Sequence, residues 1–414
     1  MALGWMAVEA RRLSADPRAV ARAALVATIF FLPWSIAGGQ AAAAVALAAW
    51  IAQAVRRRAT SLFRLPLMLW AALFAAAAVV SAVLGWRPAV AVPKLHRLLW
   101  FLLIAAVPDA AGERRREAIA FLHRMVGALS AGGVLALALH AVKVAWAMTR
   151  VPDGTSQMFW LFHQGSMRTP QFHMAALLFL LAGAACLPAR WRRLRGPLAA
   201  VAGLGILLHF KRGVWAATVA GMAALGPAVF RRRHLAAASL VAAVLAALPP
   251  VRDRLATASR DLFLGGGRWE LWTRAAPELI RKAPWGIGFG AMRNYELRRV
   301  VPAIEAKLNH LHNNALQVLA ETGWIGLATW AAWMAHALVL MASNVRRSGP
   351  STDAAESALA RGTWSATIGL LMNGVVEYNF GAGTVLMTYM LLFGMAAALR
   401  RTASADAAPS QTRP

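Results

Sequence analysis

Long apolar stretches separated by short basic runs dominate the chain. A stretch of roughly 17 to 25 apolar residues is long enough to cross a bilayer as a helix. The pattern predicts about twelve such helices, so we expect an all-α, polytopic integral membrane protein embedded in a lipid bilayer. The predicted spans are residues 21–37, 39–55, 66–85, 91–107, 125–148, 172–188, 196–210, 213–230, 235–250, 315–342, 363–378 and 383–399.

Basic residues recur after every second predicted span. Because cytoplasmic loops of membrane proteins carry an excess of Lys and Arg, this recurrence places both termini in the cytoplasm. The first span is then expected to act as an uncleaved signal anchor. The runs are Arg11/Arg12/Arg18/Arg22, Arg56–Arg58, Arg114–Arg116, Arg190/Arg192/Arg193/Arg195, Arg231–Arg233, Arg346/Arg347 and Arg400/Arg401.

One long, more polar segment interrupts the apolar pattern on the opposite, outer face. Within it, residues 271–280 and 291–301 have the spacing of amphipathic helices, on either side of a glycine-rich turn at 286–290. We expect both helices to lie along the membrane surface with their apolar faces down. The chain therefore divides into N-terminal membrane helices (1–250), a periplasmic loop subdomain (251–314), C-terminal membrane helices (315–399) and a cytoplasmic tail (400–414).

The composition fits a membrane protein better than a nucleic-acid-binding one. The 414 residues are 59% hydrophobic, with a mean hydropathy of +0.53, which is more apolar than a soluble protein of this size. A net charge of +27 would also suit binding to nucleic acid. Since the basic residues cluster between apolar spans, we expect no nucleic-acid partner. With Cys186 as the single cysteine, an intrachain disulfide or a cysteine-based metal site is excluded.

The predicted outer segment has a positive charge excess, with eleven basic and six acidic residues between Pro249 and Ala315. Long loops escape the positive-inside rule, so the excess could be without function, but arginines beside glycines favour an anion site. In Gly265-Gly266-Gly267-Arg268, backbone N–H groups and a guanidinium can converge on phosphate oxygens. Lys211-Arg212-Gly213, at a predicted helix start, is either a second anion site or a basic pair extending to lipid headgroups.

The sequence shows no motif for a metal ion. No Asp-x-Asp pair occurs, and we recognise no spaced His/Asp/Glu cluster on the outer face that resembles a metal cage. We therefore expect neither a metal nor another cofactor. A diphosphate would then be neutralised by Arg and Lys without an obligatory Mg²⁺ ion.

The stretch from Asn309 to Gly326 carries the candidate proton-transfer groups. His312 precedes an apolar helix that Asn313 or its neighbour can cap. An unperturbed imidazole exchanges protons near neutral pH, so His312 is the candidate general base; the alternative is that it only satisfies backbone groups at the helix start. Glu321 lies about 9 Å inside the span, where a carboxylate is costly and suggests function. The residues expected to support His312 are His310, Asn313, Gln317, Glu321 and Glu377.

These motifs together resemble the O-antigen ligase and polymerase family. The resemblance rests on Arg212-Gly213, on Arg268 followed by Trp272, and on Pro284-Trp285-Gly286-Ile287-Gly288-Phe289-Gly290. It also rests on His312-Asn313, which nine residues separate from Gly323-Trp324-Ile325-Gly326, the spacing of the ligase signature. Leu327 stands where the signature has Thr. The similarity is good from about Gly196 onward, and the first half matches only in hydropathy.

The resemblance implies a specific activity and fold. Members of the family are inner-membrane glycosyltransferases with a glycosyltransferase C-like fold, regarded as metal-independent and inverting. A ligase takes a glycan from undecaprenyl diphosphate at the periplasmic face and joins it to a sugar hydroxyl of lipid A–core oligosaccharide, which completes lipopolysaccharide. Carried over to this chain, Lys211, Arg212 and Arg268 hold the diphosphate, and His312 removes the proton of the acceptor hydroxyl.

Three other functions are compatible with parts of the sequence. An O-antigen polymerase would use another prenyl-linked glycan as its acceptor, and only the spacing after His312 favours the ligase. A transporter of lipid-linked glycans would favour paired repeats and ionisable groups near the middle of the bilayer, neither of which we find. A protein–protein scaffold would explain neither His312 nor the outer arginines. The sequence alone does not identify the donor glycan, the acceptor sugar or the oligomeric state.

Overall fold

The computed structural model describes residues 16–58, 60–149, 168–226, 247, 249–256, 267–302, 309–348 and 352–407. Within these ranges all regular secondary structure is helical. The helices before the outer segment are α1 (Pro17–Phe31), α2 (Ile36–Arg57), α3 (Pro66–Leu84), α4 (Pro88–Ala111), α5 (Arg115–Met148), α6 (Thr169–Ala182), α7 (Arg195–Leu208), α8 (Arg212–Leu225) and α9 (Pro249–Ala256). Short 3-10 turns at Ala184–Cys186 and Ala189–Leu194 connect α6 to α7.

The outer segment and the C-terminal part contribute five further helices. The outer helix α10 consists of three consecutive pieces, of which the middle one is π-helical: Arg268–Glu270, Leu271–Ala275 and Ala276–Lys282. The others are α11 (Asn294–Arg298), α12 (Asn314–Arg347), α13 (Ala354–Val376) and α14 (Gly383–Ala407).

Six described helices are long and apolar enough to cross a membrane: α2, α3, α4, α5, α12 and α14. The described residues therefore confirm the all-helical class and contain six candidate membrane spans, which is consistent with a membrane protein. Five more predicted spans coincide with α1, α6, α7, α8 and α13, which do not reach that length or hydropathy, so the full set of about twelve spans stays a prediction. The ninth predicted span, 235–250, lies almost entirely outside the described residues.

The helix α14 lies at the centre of the bundle. Of the residues in its most apolar stretch, within Gly383–Ala403, 89% are buried, and the rings of Tyr389 and Phe393 are fully enclosed. Buried alanines, such as Ala105 and Ala106 of α4 and Ala396 of α14 itself, let the backbones approach closely, as small residues do between membrane helices. The start of α12, the end of α13 and the loop before α14 therefore meet at one end of the bundle.

The helices of the outer segment form a second, smaller core. Leu271 and Leu279 of α10, Ile287 of the glycine-rich turn and Leu297 of α11 are buried together against Ala320 of α12. Their apolar faces thus pack on one another and on the bundle, where we had expected them to face the membrane surface. This core fixes the outer segment above the start of α12.

The second predicted outer helix, 291–301, is wrong in extent, because only Asn294–Arg298 is helical. The N–H group of Met292 points to the Glu321 carboxylate at 3.4 Å, which holds the residues before α11 out of the helix. Glu296 then closes the helix start by accepting from the Arg293 N–H group at 2.9 Å, and it pairs with Arg87 at 2.9 Å. Contacts to distant segments therefore set the start of α11, which local periodicity could not reveal.

Candidate active site

The start of α12 presents two histidines on one side. Asn313 caps the helix by accepting from the Leu316 N–H group at 2.9 Å, and its amide donates to the Val375 carbonyl at the end of α13 at 2.9 Å. His312 has a φ of 50°, a left-handed conformation that is uncommon outside glycine. Because of this turn, the rings of His310 and His312 lie 4.1 Å apart between their centres and both face Glu377, just after α13.

Glu377 is the centre of the site, because three cationic or imidazole groups converge on its carboxylate. Nδ1 of His312 lies 3.2 Å from Oε2, and Nε2 of His310 lies 3.6 Å from Oε1. A guanidinium nitrogen of Arg268 lies 3.6 Å from Oε2. The structure thus brings together two predicted catalytic residues, Arg268 and His312, with two of the predicted supporting residues.

The surroundings of Glu377 keep its carboxylate ionised. Burial by itself would raise the pKa of Glu377, but the hydrogen bond from His312 lowers it, as do Arg268 and the two histidines when they are protonated, so that the pKa is lowered overall. The pKa of His310 falls to about 4, chiefly through burial and then through its neighbours His312 and Arg268, with Glu377 opposing. At neutral pH, His310 is therefore an uncharged ring beside an ionised carboxylate.

The contact with Glu377 fixes the tautomer of His312. An ionised carboxylate only accepts hydrogen bonds, so Nδ1 of His312 must carry the hydrogen. In the neutral ring, the lone pair then resides on Nε2. A histidine held in this way by a carboxylate can accept a proton at Nε2, and the carboxylate stabilises the resulting imidazolium.

Arg268 begins α10 directly after Gly267, and its guanidinium is partly buried. Among the described residues, its Nε atom has no hydrogen-bond acceptor. Trp272, one helical turn after Arg268, donates from Nε1 to the Leu311 carbonyl at 2.8 Å. This hydrogen bond connects α10 to the histidine loop, the segment that carries His310 and His312. Arg268 therefore has a buried donor available for a ligand oxygen. Gly265 and Gly266 of the predicted anion motif lie outside the described residues.

Lys211 and Arg212 lie at the start of α8, at the same end of the bundle. Lys211 occupies the position before the helix and Arg212 its first turn. A Cβ atom on Gly213 would come within 2.9 Å of the Val376 side chain, so only glycine allows this approach to the end of α13 without a shift. The basic pair is thereby held beside the segment that ends in Glu377.

A break in α12 joins the glycine-rich turn to the site. Gly323 has a φ of 68° within the helix, and the carbonyls of Ala320 and Glu321 are consequently free to accept from outside. They bind the N–H groups of Ile287 at 2.9 Å and Gly288 at 3.1 Å. The close approach needs glycine on both sides, because a Cβ on Gly323 would lie 2.5 Å from the Pro284 carbonyl oxygen. The signature glycines thus hold the outer segment against α12.

Glu321 has a supporting position in the described structure. Its carboxylate is buried and accepts from the N–H group of Gly290 at 3.0 Å, from Gln317 at 2.8 Å and from the Tyr378 hydroxyl at 3.2 Å. Gln317 in turn accepts from the Leu311 N–H group at 2.7 Å. This chain connects the glycine-rich turn to the loop that carries the two histidines.

A cavity of about 330 Å³ opens beside His310, Glu321 and Glu377. Three arginines that the sequence reasoning missed also line it: Arg97 of α4, Arg168 before α6 and Arg293 before α11. Arg97 lies inside what the sequence predicts as the fourth span. Lys94, His96 and Arg97 within 17 otherwise apolar residues were the available signal, and the chain there forms a 3-10 helix, Val92–Leu102.

His310, His312 and Glu377 also form a set that could ligate a metal ion, since one atom of each lies within 4.8 Å of the others. The expectation that no histidine and carboxylate cluster lies on this face is therefore wrong. Glu377 follows His312 by 65 residues, so no spacing in the sequence links them. The Arg268 guanidinium beside the same carboxylate opposes a divalent cation there.

The comparison with known proteins agrees with the motifs. Residues 197–331 match the family described as O-Antigen ligase. The matched segment contains Lys211, Arg212, Arg268 and the histidine loop, whereas Glu377 lies beyond it. No curated protein matches the chain. The resemblance to the O-antigen ligase family is therefore confirmed for residues 197–331.

Proposed function

We propose that the protein is an O-antigen ligase. It transfers a glycan from undecaprenyl diphosphate to a sugar hydroxyl of lipid A–core oligosaccharide, at the periplasmic face of the bacterial inner membrane. The observation that carries this proposal is the contact of His312 with Glu377 at 3.2 Å, together with the partly buried Arg268, whose guanidinium lies 3.6 Å from the same carboxylate. A base and a cation within one small site are what this transfer requires.

In the proposed reaction, Nε2 of His312 takes the proton of the acceptor hydroxyl as its oxygen attacks the anomeric carbon. The new C–O bond forms on the face opposite the diphosphate, so the anomeric configuration inverts. The bond between the anomeric carbon and the diphosphate oxygen breaks, and the diphosphate leaves with the electron pair. Glu377 stabilises the imidazolium that His312 becomes during this step.

Arg268, with Lys211 and Arg212 at the start of α8, neutralises the leaving diphosphate. Negative charge on the diphosphate oxygens grows in the transition state, so these cations assist the reaction more than they assist binding of the ground state. The proposal is metal-independent, because the Arg268 guanidinium supplies a positive charge at the place where a divalent ion would bind. Transfer is accordingly expected to continue in the presence of EDTA.

The deciding experiment gives the purified protein a prenyl-diphosphate glycan together with one of two acceptors. An extended lipid A–core product supports the ligase. An extended prenyl-linked glycan instead identifies a polymerase, and donor movement across vesicles without a new glycosidic bond identifies a transporter. A parallel reaction with EDTA tests metal independence: loss of turnover that Mg²⁺ or Mn²⁺ restores would contradict the arginine-only account. The His312→Ala variant serves as the control without a base.

A further inference from the structure

A second cavity, of about 1020 Å³, lies far from the candidate active site. It is bounded by the end of α2, the start of α3, the end of α4 and the C-terminal part of α12, from His336 to Ser343. These residues follow Asn314 by 22 to 29 positions, which is roughly 33 to 44 Å along a helix at 1.5 Å per residue. Since the hydrocarbon core of a bilayer is about 30 Å thick, the cavity lies at headgroup level on the opposite face.

Arginines outnumber carboxylates in the lining of this cavity. Six arginines face three carboxylates: Arg18, Arg57, Arg64, Arg114, Arg400 and Arg401 against Asp109, Glu113 and Glu117. The carboxylates already have partners. Asp109 accepts from Trp50 at 2.8 Å, from the Ser61 N–H group at 3.0 Å and from Arg401 at 3.2 Å. Glu113 pairs with Arg401 at 2.6 Å, and Glu117 pairs with arginines of α1 and with Arg114.

Arg57 and Arg64 supply the uncompensated charge. Within the described ranges, neither guanidinium has a carboxylate or another acceptor at bonding distance. They lie on either side of the connection between α2 and α3, and both are exposed. Two unpaired guanidinium groups at the mouth of a polar cavity attract an anion with several oxygen atoms, since each can donate two parallel hydrogen bonds.

The rim of the cavity is apolar. Val339 lines the cavity and is 62% exposed, which opens the lining toward the lipid-facing side of α12. Outside the lining itself, Phe63 is adjacent in sequence to Arg64 and is 89% exposed, and Leu69 lies two residues after the lining residue Leu67 on α3 and is 59% exposed. Such side chains are costly in water and favourable against acyl chains. A ligand that fits both parts has an anionic head and hydrocarbon tails, whereas a soluble anion would gain nothing from the apolar rim.

We propose that this cavity binds the phosphodiester headgroup of an anionic phospholipid from the leaflet opposite the active site, with Arg57 and Arg64 as its main contacts. The binding is independent of the glycan-transfer proposal. Basic pockets between membrane helices recognise anionic headgroups through this combination of charge and apolar contact.

Native mass spectrometry of the purified full-length protein, titrated with phosphatidylglycerol or phosphatidylcholine, tests the proposal. We expect phosphatidylglycerol to bind preferentially, and Arg57→Gln/Arg64→Gln to weaken its binding about ten-fold through loss of two charge-assisted contacts. The matched control is Arg116→Gln/Arg346→Gln, which removes the same charge from exposed arginines outside the cavity and should change binding less than two-fold. Arg57→Lys/Arg64→Lys, which keeps the charge, should give an intermediate affinity.

Three outcomes would overturn the proposal. Equal weakening in the test and control variants would mean that diffuse surface charge attracts the lipid. Equal affinity for phosphatidylglycerol and phosphatidylcholine would show that the negative charge of the headgroup does not contribute to binding. Displacement of the bound lipid by glycerol phosphate at an equal concentration would identify a site for a soluble phosphate. Because Arg57 and Arg64 are exposed, the variants should unfold at the wild-type temperature, which confirms that any loss arises at the cavity.

Discussion

At the scale of single residues, the charge on Glu377 decides what its neighbours can do. An ionised carboxylate orients His312 through Nδ1 and attracts Arg268, but it leaves the Nε donor of Arg268 unused. His310 adds a neutral ring that helps to exclude water from the cluster. One acidic side chain thus positions both the proposed base, His312, and the proposed diphosphate contact, Arg268.

Arg268→Ala is expected to lower the rate of glycan transfer roughly 10²- to 10³-fold, because it removes a preorganised donor for the leaving diphosphate. Arg268→Lys should recover only part of the rate, since an ammonium lacks the forked geometry of the guanidinium. Initial rates with saturating donor measure the effect. Arg274→Ala is the matched control on the same helix, because Arg274 is 75% exposed and pairs with Glu270. Wild-type rates in Arg268→Ala would return this arginine to a structural role.

The lowered pKa of His310 predicts how the free energy of unfolding depends on pH. Its pKa in the folded protein is about 4, below the ordinary 6.5, so the unfolded chain takes up a proton first as the pH falls. Stability should therefore decline between pH 6.5 and pH 4. Glu377, with a lowered pKa, adds a further loss only below its ordinary value of 4.5.

Thermal unfolding in detergent from pH 7 to pH 4 measures this decline. His310→Gln should flatten the decline between pH 6.5 and pH 4, because glutamine does not titrate there. His96→Gln should not, since His96 is exposed and, within the described part of the chain, its ring lies against the backbone carbonyl of Pro93. An unchanged slope in His310→Gln would show that this ring is not buried in its neutral form.

The roles of residues that depend on their sequence neighbours could be predicted, whereas contacts between residues far apart in the chain could not. His312 follows from its position before an apolar helix, and Arg268 follows from the glycines beside it. That Glu377 orients His312 depends on the packing of α12 against α13, which no local pattern encodes. Arg97, Arg168 and Arg293 were missed for the same reason, because three separate segments bring them to one cavity.

At the scale of elements, the break in α12 holds the site together. Gly323→Ala would place a Cβ 2.5 Å from the Pro284 carbonyl oxygen and force a methyl-bearing residue to a φ of 68°. Positive φ of this kind costs about 1–3 kcal/mol, and the clash adds to it. We expect a lower unfolding temperature and weaker transfer, because the glycine-rich turn loses its contact with Ala320 and Glu321.

Gly203→Ala is the matched control for this substitution. Gly203 lies in α7, and a Cβ there meets no other atom within 4 Å. The change should be neutral or stabilising by roughly 0.5–1 kcal/mol, since alanine favours the helix. Differential scanning fluorimetry of both variants compares them. Equal unfolding temperatures for Gly323→Ala and the wild type would contradict the described break in α12.

Long apolar helices were predictable because their burial repeats a simple pattern over many residues. The α3 and α12 spans lie within a few residues of their predicted limits at their starts. The interruption of α4 by a 3-10 helix and the short α11 depend on contacts with Gly381 and Glu321, so hydropathy alone could not locate them.

At the scale of the whole molecule, the candidate active site and the arginine-lined cavity lie at opposite ends of α12. This separation predicts that the two ends face different compartments. The native Cys186 is fully buried, so an introduced cysteine reports its own position. Arg281→Cys should react with a membrane-impermeant thiol reagent in spheroplasts, because Arg281 is 70% exposed on the outer segment.

Arg346→Cys, at the end of α12, should react only after the membrane is permeabilised. A reporter fused after Arg274 should likewise be periplasmic, and one at the C-terminus should be cytoplasmic. Labelling of both cysteines in spheroplasts, or of neither, would contradict the orientation and put the proposed site in the wrong compartment.

The central claim, that His312 acts as the base for glycan transfer, is tested most directly by the transfer rate of His312→Gln with prenyl-diphosphate glycan already bound. Glutamine keeps a hydrogen bond to Glu377 but cannot take the proton. The account predicts a fall of about 10²- to 10⁴-fold in the rate with nearly unchanged donor affinity, while His96→Gln transfers at the wild-type rate. A wild-type rate in His312→Gln would contradict it, leaving His312 as a helix-start residue and moving the proton to another group or to the departing diphosphate.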